Sequence, residues 1–356
     1  MNENRGLKLV GKILMWMMVC IVIAVVSLLG YLTITEYKPE KVEDIVLEER
    51  QSIPVKEDIR VVTWNLGYGG LNEDSDFFMD GGKMIMPSSK EDVIKNMVGI
   101  GNVLEDIKGD FYLYQEVDKN SRRSYHIDQV HYLKEKLELP GQFAYNFHVK
   151  FLPYPWPPIG QVESGVFTQS AYEPTLSQRI SLPVPFTYPV RIANLKRCFL
   201  VNRYPVDENR ELVLINLHLE AYDDGEGKKE QSKVLMDFMK EEYKKGNYVV
   251  AGGDWNQNFE DDNNRKYERA PEGMWNPGEI LKNEVSKDWT FAFDNTHPTS
   301  RLNNKPYEKG SENTWYYVID GFLVSPNVKV RKVETIPLDF KYTDHEPVVL
   351  QAHLIK

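Results

Sequence analysis

Asp254 and Asn256 stand two residues apart behind the apolar run "YVVAGG", Tyr248 to Gly253. In extended backbone alternate side chains share a face, so the carboxylate and the amide project to one side and Trp255 to the other. Gly252 and Gly253 permit close backbone approaches that a side chain would block. A metal ion, a phosphate or plain turn chemistry could each be the target of such a pair. Five further apolar runs end in the same way. Asn65 closes "VVTWN", Glu116 closes "FYLYQE" and His218 lies in "LINLH". Asp320 lies in "YYVID", and Asp344 with His345 in "YTDHEP" just before the last run. Taken singly, an Asn or Asp after a strand is a turn former and a lone histidine is structural. Six strand ends in one domain point instead to a shared site.

The ordered set "TWN", "QE", "NLH", "GGDWN", "VID" and "TDH" resembles the endonuclease/exonuclease/phosphatase superfamily from about residue 58 onward, with every piece in family order. That superfamily includes deoxyribonucleases, inositol polyphosphate phosphatases and bacterial sphingomyelinases. The resemblance implies an α+β fold, a four-layer α/β/β/α sandwich with the active site where strand ends converge. It implies that Glu116 is the principal metal carboxylate, with Asn65 and Asp344 completing or flanking the metal shell. Asp254 and Asn256 would orient the attacking water and hold the phosphate. His345 resembles the general base or phosphate clamp, Asp320 the acid that fixes its tautomer, and His218 the histidine serving the leaving oxygen or the phosphate charge. The chemistry needs such a kit. Phosphoester hydrolysis builds negative charge on phosphate oxygens, which a hard cation bound by oxygen ligands offsets. Mg²⁺ fits carboxylate and amide oxygens, with Mn²⁺ as a substitute, and no cysteine–histidine cluster suggests zinc. A histidine paired with a buried carboxylate can activate water near neutral pH.

Four arginines are candidates for substrate binding, because guanidinium pairs with phosphate in bidentate fashion. Arg122 and Arg123 follow Glu116 closely, Arg301 lies in the loop "THPTSR", and Arg179 lies in "SQRISLP". His126, His131, His148 and His353 read as structural or surface residues. The stretch "FLPYPWPPIG", Phe151 to Gly160, carries four prolines and three aromatics and cannot be a central strand. It reads as a rigid protruding loop that either meets apolar substrate or membrane, or folds back as a satellite core.

The elements that must position these groups are mostly strands. They cover 59–66, 110–117, 142–151, 163–169, 198–206, 211–219, 248–254, 315–325, 328–336 and 347–355. "SSKEDVIKNMVGIGNVLEDIKG" carries a capping box at Ser88 and Glu91 and apolar residues at helical spacing. "HIDQVHYLKEKL" and "KKEQSKVLMDFMKEEYKKG" read as helices too. Strands joined by short turns favour two mixed sheets packed face to face with helices outside. The chain has 356 residues, 42% of them hydrophobic, and a formal charge of -10. That balance disfavours a dedicated polyanion binder, so a nuclease is the second reading of the chemistry. An inactive tethered binding domain is a third, since fold does not guarantee activity. A glycosidase would leave the amides and histidines unexplained.

Ile13 to Ile34 holds 22 residues without a charge, long enough at ~1.5 Å per residue for a bilayer core of ~30 Å. Arg5, Lys8 and Lys12 precede it, whereas Glu36, Glu40, Glu43 and Asp44 follow. The positive-inside bias makes it a single-pass cell-membrane anchor with the N-terminus cytoplasmic and the rest outside. The competing reading, a cleaved signal peptide, fits the length of the run poorly. The expected organisation is a stub and anchor at 1–35, a charged tether at 36–57 and a catalytic domain at 58–356. Its partners are a phosphoester, lipid or small molecule before nucleic acid, and the membrane; no protein partner is inferable.

Overall fold

The computed structural model describes residues 3–47, 52–223, 225–260, 265–280 and 282–355. Two β-α-β units set its frame. Strand β2 (Asp58–Asn65) passes through helix α2 (Lys90–Ile107) to β3 (Phe111–Asp118), and the two strands pair in parallel. Strand β8 (Glu211–His218) passes through α4 (Glu226–Lys244) to β9 (Tyr248–Asp254) in the same manner. Around the first unit lies a six-stranded sheet in the order β16-β17-β2-β3-β5-β4. Its other members are β4 (Gly141–Leu152), β5 (Gly160–Ser170), β16 (Val328–Thr335) and β17 (Val348–Leu354). Around the second lies a seven-stranded sheet in the order β1-β6-β7-β8-β9-β15-β12. It adds β1 (Val42–Asp44), β6 (Leu176–Ser181), β7 (Cys198–Pro205), β12 (Thr290–Ala292) and β15 (Asp320–Val324). Two short pairs, β10 (Gln257–Asn258) with β11 (Gly278–Glu279) and β13 (Ser300–Arg301) with β14 (Tyr316–Tyr317), complete the strands.

The alternation of apolar side chains dictates the layers. Ile59 and Val61 of β2 join Tyr248 and Val250 of β9 in the core between the sheets. Val62 and Trp64 face outward to Val93, Met97, Ile100 and Leu104 of α2, and Leu133 of α3 (Gln129–Leu137). On the other side Val249 and Ala251 meet Leu235, Met236 and Met239 of α4. Each such large side chain contributes about 1.5–3 kcal/mol on burial. The result is the expected four-layer α/β/β/α sandwich. A buried polar clamp fixes one sheet on the other: Gln115 donates to Asn216 Oδ1 at 2.8 Å, and Asn216 donates to the Phe167 carbonyl at 2.9 Å. Removing either partner would strand a buried polar group, so this contact specifies the stacking register.

Some sequence expectations shift. Helix α2 is capped by Ser89, not Ser88, because the Ser89 hydroxyl accepts from the Asp92 amide at 3.1 Å while its own backbone is extended. The segment expected as a tether packs on the domain: Val42–Asp44 pairs antiparallel with Gln178–Ile180 at the sheet edge. Strand β6, second from the edge, carries Ser177, Gln178, Arg179 and Ser181, and so polar a run looks like a loop in the sequence.

Helix α4 is tied to the sheet by a bidentate pair, with both Arg203 terminal nitrogens 2.8 Å from the Glu242 oxygens. Burial opposes the Glu242 charge, but hydrogen bonds from Arg203, Lys245 and Asn247 hold its pKa down to about 2, against an ordinary 4.5. A depressed folded-state pKa gives stability that is complete above pH 4.5 and lost as pH falls toward 2. Arg203→Met is therefore expected to cost about 2 kcal/mol at pH 7 and far less at pH 3. Urea titrations in detergent micelles at the two pH values would check this; an equal loss at both would refute it.

Candidate active site

The carboxyl ends of the two parallel strand pairs meet at one end of the sandwich. Strand register places His218, Asp254 and Asp320 side by side, since Asp254 is opposite His218 on β8 and opposite Asp320 on β15. Asn65 ends β2 beside Gln115 on β3, with Glu116 next in line. Asp344 and His345 arrive on the loop before β17. These residues line one cleft, with the exception of Asn65 and Asp320, which bond to it from behind.

Local backbone explains the aim of the key groups. Glu116 sits at φ 52, where the register between β3 and β5 slips between Tyr114 and Val117. That bulge and left-handed turn swing its carboxylate out of the sheet, a conformation a non-glycine residue adopts only under constraint. Gly253 is needed because a Cβ there would lie 2.0 Å from the Leu217 carbonyl oxygen. Its absence lets β9 press against β8 and sets the height of Asp254.

Asp254 is the hub. Its Oδ2 accepts from Asn65 Nδ2 at 3.0 Å and lies 3.3 Å from His218 Nε2 and 3.7 Å from His345 Nε2. Its Oδ1 accepts from the Asn256 amide at 2.9 Å, while the Asn256 side chain donates to the Leu219 carbonyl. Burial pushes the Asp254 pKa up to about 6, with His345 opposing the rise and Asp320 adding to it. His345 Nδ1 is 2.8 Å from Asp320 Oδ2. Burial opposes its charge, but the Asp320 and Asp254 carboxylates raise it well above an ordinary histidine. His218 is driven the other way by burial first and then by Arg197 and His345, so it is neutral. Its 3.3 Å approach to Asp254 is therefore a neutral imidazole against a carboxylate, not an ion pair. One protonated and one neutral imidazole flank a carboxylate poised near neutrality, the separation that acid–base work requires.

Glu116 and Asp344 face the same cleft with little compensation. Among the described residues the Glu116 carboxylate has only a long contact, 3.5 Å, to Asn65 Nδ2, and burial raises its pKa against the pull of Arg123. Asp344 accepts at 3.3 Å from Thr343 Oγ1 and at 3.4 Å from Asn303 Nδ2. A Cβ at Gly67 would stand 3.1 Å from Asp344 Oδ1, so the chain keeps space there. Buried like charges with weak partners are costly unless a cation joins them, and two carboxylates suit a hard divalent ion. The Asn65 amide oxygen accepts from the Gly67 amide at 3.0 Å, and its NH₂ group reaches the Asp254 and Glu116 carboxylates. Asp254, Asp320 and His345 also bring three ligand atoms within 4.8 Å of one another. Those atoms already partner one another through the His345–Asp320 bond, so the donor set of Glu116 and Asp344 fits a cation better.

The arginines divide. Arg123 lines the cleft, fixed by two hydrogen bonds to Asp118 at 3.0 and 3.1 Å and stacked 3.9 Å over the Tyr68 ring. Arg301 lines it too, its terminal nitrogens donating to the carbonyls of Lys305 and Asn72. Arg122 is not brought to the cleft; it donates to the Pro158 carbonyl. Nor is Arg179, which is spent on the Tyr145 and Lys196 carbonyls and Ser181 Oγ. Sequence reasoning missed Arg197, which lines the cleft with Nε 3.5 Å from Glu220. It also missed Asp80 and Tyr222, whose hydroxyl donates to Asp80 Oδ1 at 3.0 Å between two cleft-lining loops. A basic residue opening an apolar strand, "KRCFLV", was the only available sign of Arg197.

No family model matches the chain, and no curated protein matches it in sequence. Solved structures do match in shape. An endonuclease/exonuclease/phosphatase from Beutenbergia cavernae superposes with a TM-score of 0.59 at 17% identity, covering 84% of this chain and 72% of its own. Another from Bacteroides vulgatus gives 0.54 at 15% identity over 84% and 100%. D. rerio TDP2 complexed with single strand DNA product gives 0.52 at 13% identity over 84% and 100%. The chain has the endonuclease/exonuclease/phosphatase fold.

Proposed function

We propose that this chain is a Mg²⁺-dependent phosphoester hydrolase held on the outer face of a membrane by α1 (Glu3–Ile34). The observation that carries the reading is the Asp254 hub between two oppositely tuned imidazoles, set across from the undercompensated Glu116 and Asp344. A fold relative, D. rerio TDP2, holds a DNA product, which supports phosphodiester chemistry in a cleft of this architecture. Glu116 and Asp344 would hold the cation, which when bound supplies positive charge to the phosphate oxygens. Asp254 takes a proton from the attacking water, whose oxygen bonds phosphorus. The His345 imidazolium, held by Asp320, clamps a phosphate oxygen through Nε2–H. As the P–O bond to the leaving oxygen breaks, that oxygen takes the His345 proton, and the proton on Asp254 then passes to His345 Nε2. His218 and Arg123 add hydrogen bonds and charge to the phosphate.

Helix α1 is apolar and exposed, every residue from Gly6 to Ser27 lying open. Its flanking charges support a cytoplasmic N-terminus. The test is hydrolysis of bis(4-nitrophenyl) phosphate by the full chain in detergent. Activity is expected with Mg²⁺ or Mn²⁺ and is expected to vanish in EDTA; turnover unchanged by chelation would refute the reading. A screen on the same preparation with plasmid DNA, phospholipids and sugar phosphates ranks the substrates, and preference for DNA would establish the nuclease alternative.

A further inference from the structure

The anchor enters the domain at the catalytic end. Strand register carries this across the whole sheet: Val42 pairs with Ile180, Ile180 with Phe199, Phe199 with Leu217, and Leu217 with Gly253. That row lies one residue from His218 and Asp254. Four strand spacings put Val42 roughly 20 Å from the hub, and α1 ends just eight residues earlier. The other sheet agrees. Tyr37 packs 6.2 Å from the Tyr145 ring, and Tyr145 pairs with Gly165, which pairs with Val117 beside Glu116.

The root of α1 is locked rather than loose. The buried Glu36 carboxylate lies 3.1 Å from Lys196 Nζ and 3.3 Å from Arg191 Nε. Leu32 is buried, and β1 zips the following residues onto β6. Lys196 adjoins Arg197, which lines both the catalytic cleft and the pocket at the anchor root. The same end carries the exposed aromatics. Outside α1, the exposed aromatic side chains among the described residues are Tyr154, Trp156, Tyr188 and Tyr222. Tyr154 and Trp156 lie in the β4–β5 loop, Tyr188 in the β6–β7 connection beside Val190, and Tyr222 just beyond His218. Trp156 is 86% exposed, although Ile159 at the loop base is buried with Val149 and Val162. Exposed Trp and Tyr are characteristic of the bilayer interface, where an apolar ring and a polar edge are both accommodated.

We propose that the catalytic cleft opens onto the bilayer that α1 spans, with Trp156 and Tyr188 seated in its interface, and that the phosphoester hydrolysed belongs to a lipid headgroup of that bilayer. The proposal rests on the phosphoester-hydrolase reading above for its chemistry, and on register and exposure for its orientation. A rigid root holds the mouth at a fixed height, so the substrate arrives by lateral diffusion within the lipid layer.

Orientation is tested without activity. Trp156→Cys, Tyr188→Cys and Glu208→Cys, each with Cys20→Ser, are labelled with bimane in nanodiscs of phosphatidylcholine and phosphatidylglycerol. Glu208 is exposed in the β7–β8 turn at the opposite end and serves as control. Spin-labelled lipids are expected to quench positions 156 and 188 and spare 208. Quenching at 208 alone, or at none of the three, overturns the orientation. Substrate class is tested on vesicles of phosphatidylcholine, phosphatidylglycerol and phosphatidylinositol against their deacylated headgroup phosphodiesters. At least one lipid is expected to turn over about tenfold faster than its deacylated counterpart. Combined Trp156→Ser and Tyr188→Ser should lower that rate about tenfold while leaving bis(4-nitrophenyl) phosphate unaffected. Equal rates on lipid and deacylated headgroup overturn the substrate assignment. Quenching as expected with no hydrolysis of any phosphoester would instead overturn the hydrolase reading and leave the orientation standing.

Discussion

His345→Ala is expected to lower kcat on bis(4-nitrophenyl) phosphate by about 10³-fold or more while the protein still melts cooperatively. Two carboxylates favour the protonated imidazole, with Asp320 at 2.8 Å fixing its tautomer and direction. Its loss removes both the clamp on the phosphate and the proton for the leaving oxygen. Asp320→Asn keeps the shape but removes the charge that holds the proton, so it should reproduce much of the defect. The double variant should be scarcely worse than His345→Ala, because residues acting as one unit are not additive. Steady-state kinetics of the three variants decide it. Multiplying defects would show that the two side chains act separately, and a near-normal His345→Ala would remove it from the mechanism.

Glu116→Gln should abolish the metal response without weakening the metal-free fold. In the native chain burial raises its pKa, Arg123 draws it back only in part, and Asp344 adds a smaller like-charge repulsion. A neutral amide removes that repulsion, so melting in EDTA should occur at or above the parent temperature. A ligand at a hundred times its Kd stabilises by about 2.7 kcal/mol, so saturating Mg²⁺ should raise the parent Tm by several degrees. The variant should show no such rise and a kcat loss of at least about 10³-fold. Calorimetry with and without Mg²⁺ checks both. An undiminished Mg²⁺ shift would place the cation elsewhere, with the Asp254, Asp320 and His345 cluster as the next candidate.

The two sheets were legible because their central strands are apolar on both faces, and buried strands announce themselves as short runs such as "ELVLINL". The strand ends were legible for the same reason, since a polar residue closing such a run contrasts with everything before it. Loops offered no such contrast. Asp80 and Tyr222 reach the cleft from irregular segments where nothing periodic marks a residue as inward. Arg179 shows the opposite failure: it is buried, yet its guanidinium is consumed by the Tyr145 and Lys196 carbonyls, a fate composition cannot reveal. The capping pattern placed the start of α2 to within a residue, but choosing between Ser88 and Ser89 as cap depends on backbone angles that two adjacent serines do not disclose.

Because β1 covers the outer edge of β6 and Glu36 contacts Lys196 and Arg191, residues ahead of 58 pack as part of the domain. A secreted version cut at Asp58 would shed the covering strand, the Glu36 contacts with Lys196 and Arg191, and the Ser52 hydrogen bond to the Glu173 carbonyl. It would leave unpaired amides and carbonyls along β6, a template for intermolecular strand addition. Soluble enzyme begun at Glu36 should remain monomeric, and the shorter form should self-associate in light scattering at the same concentration.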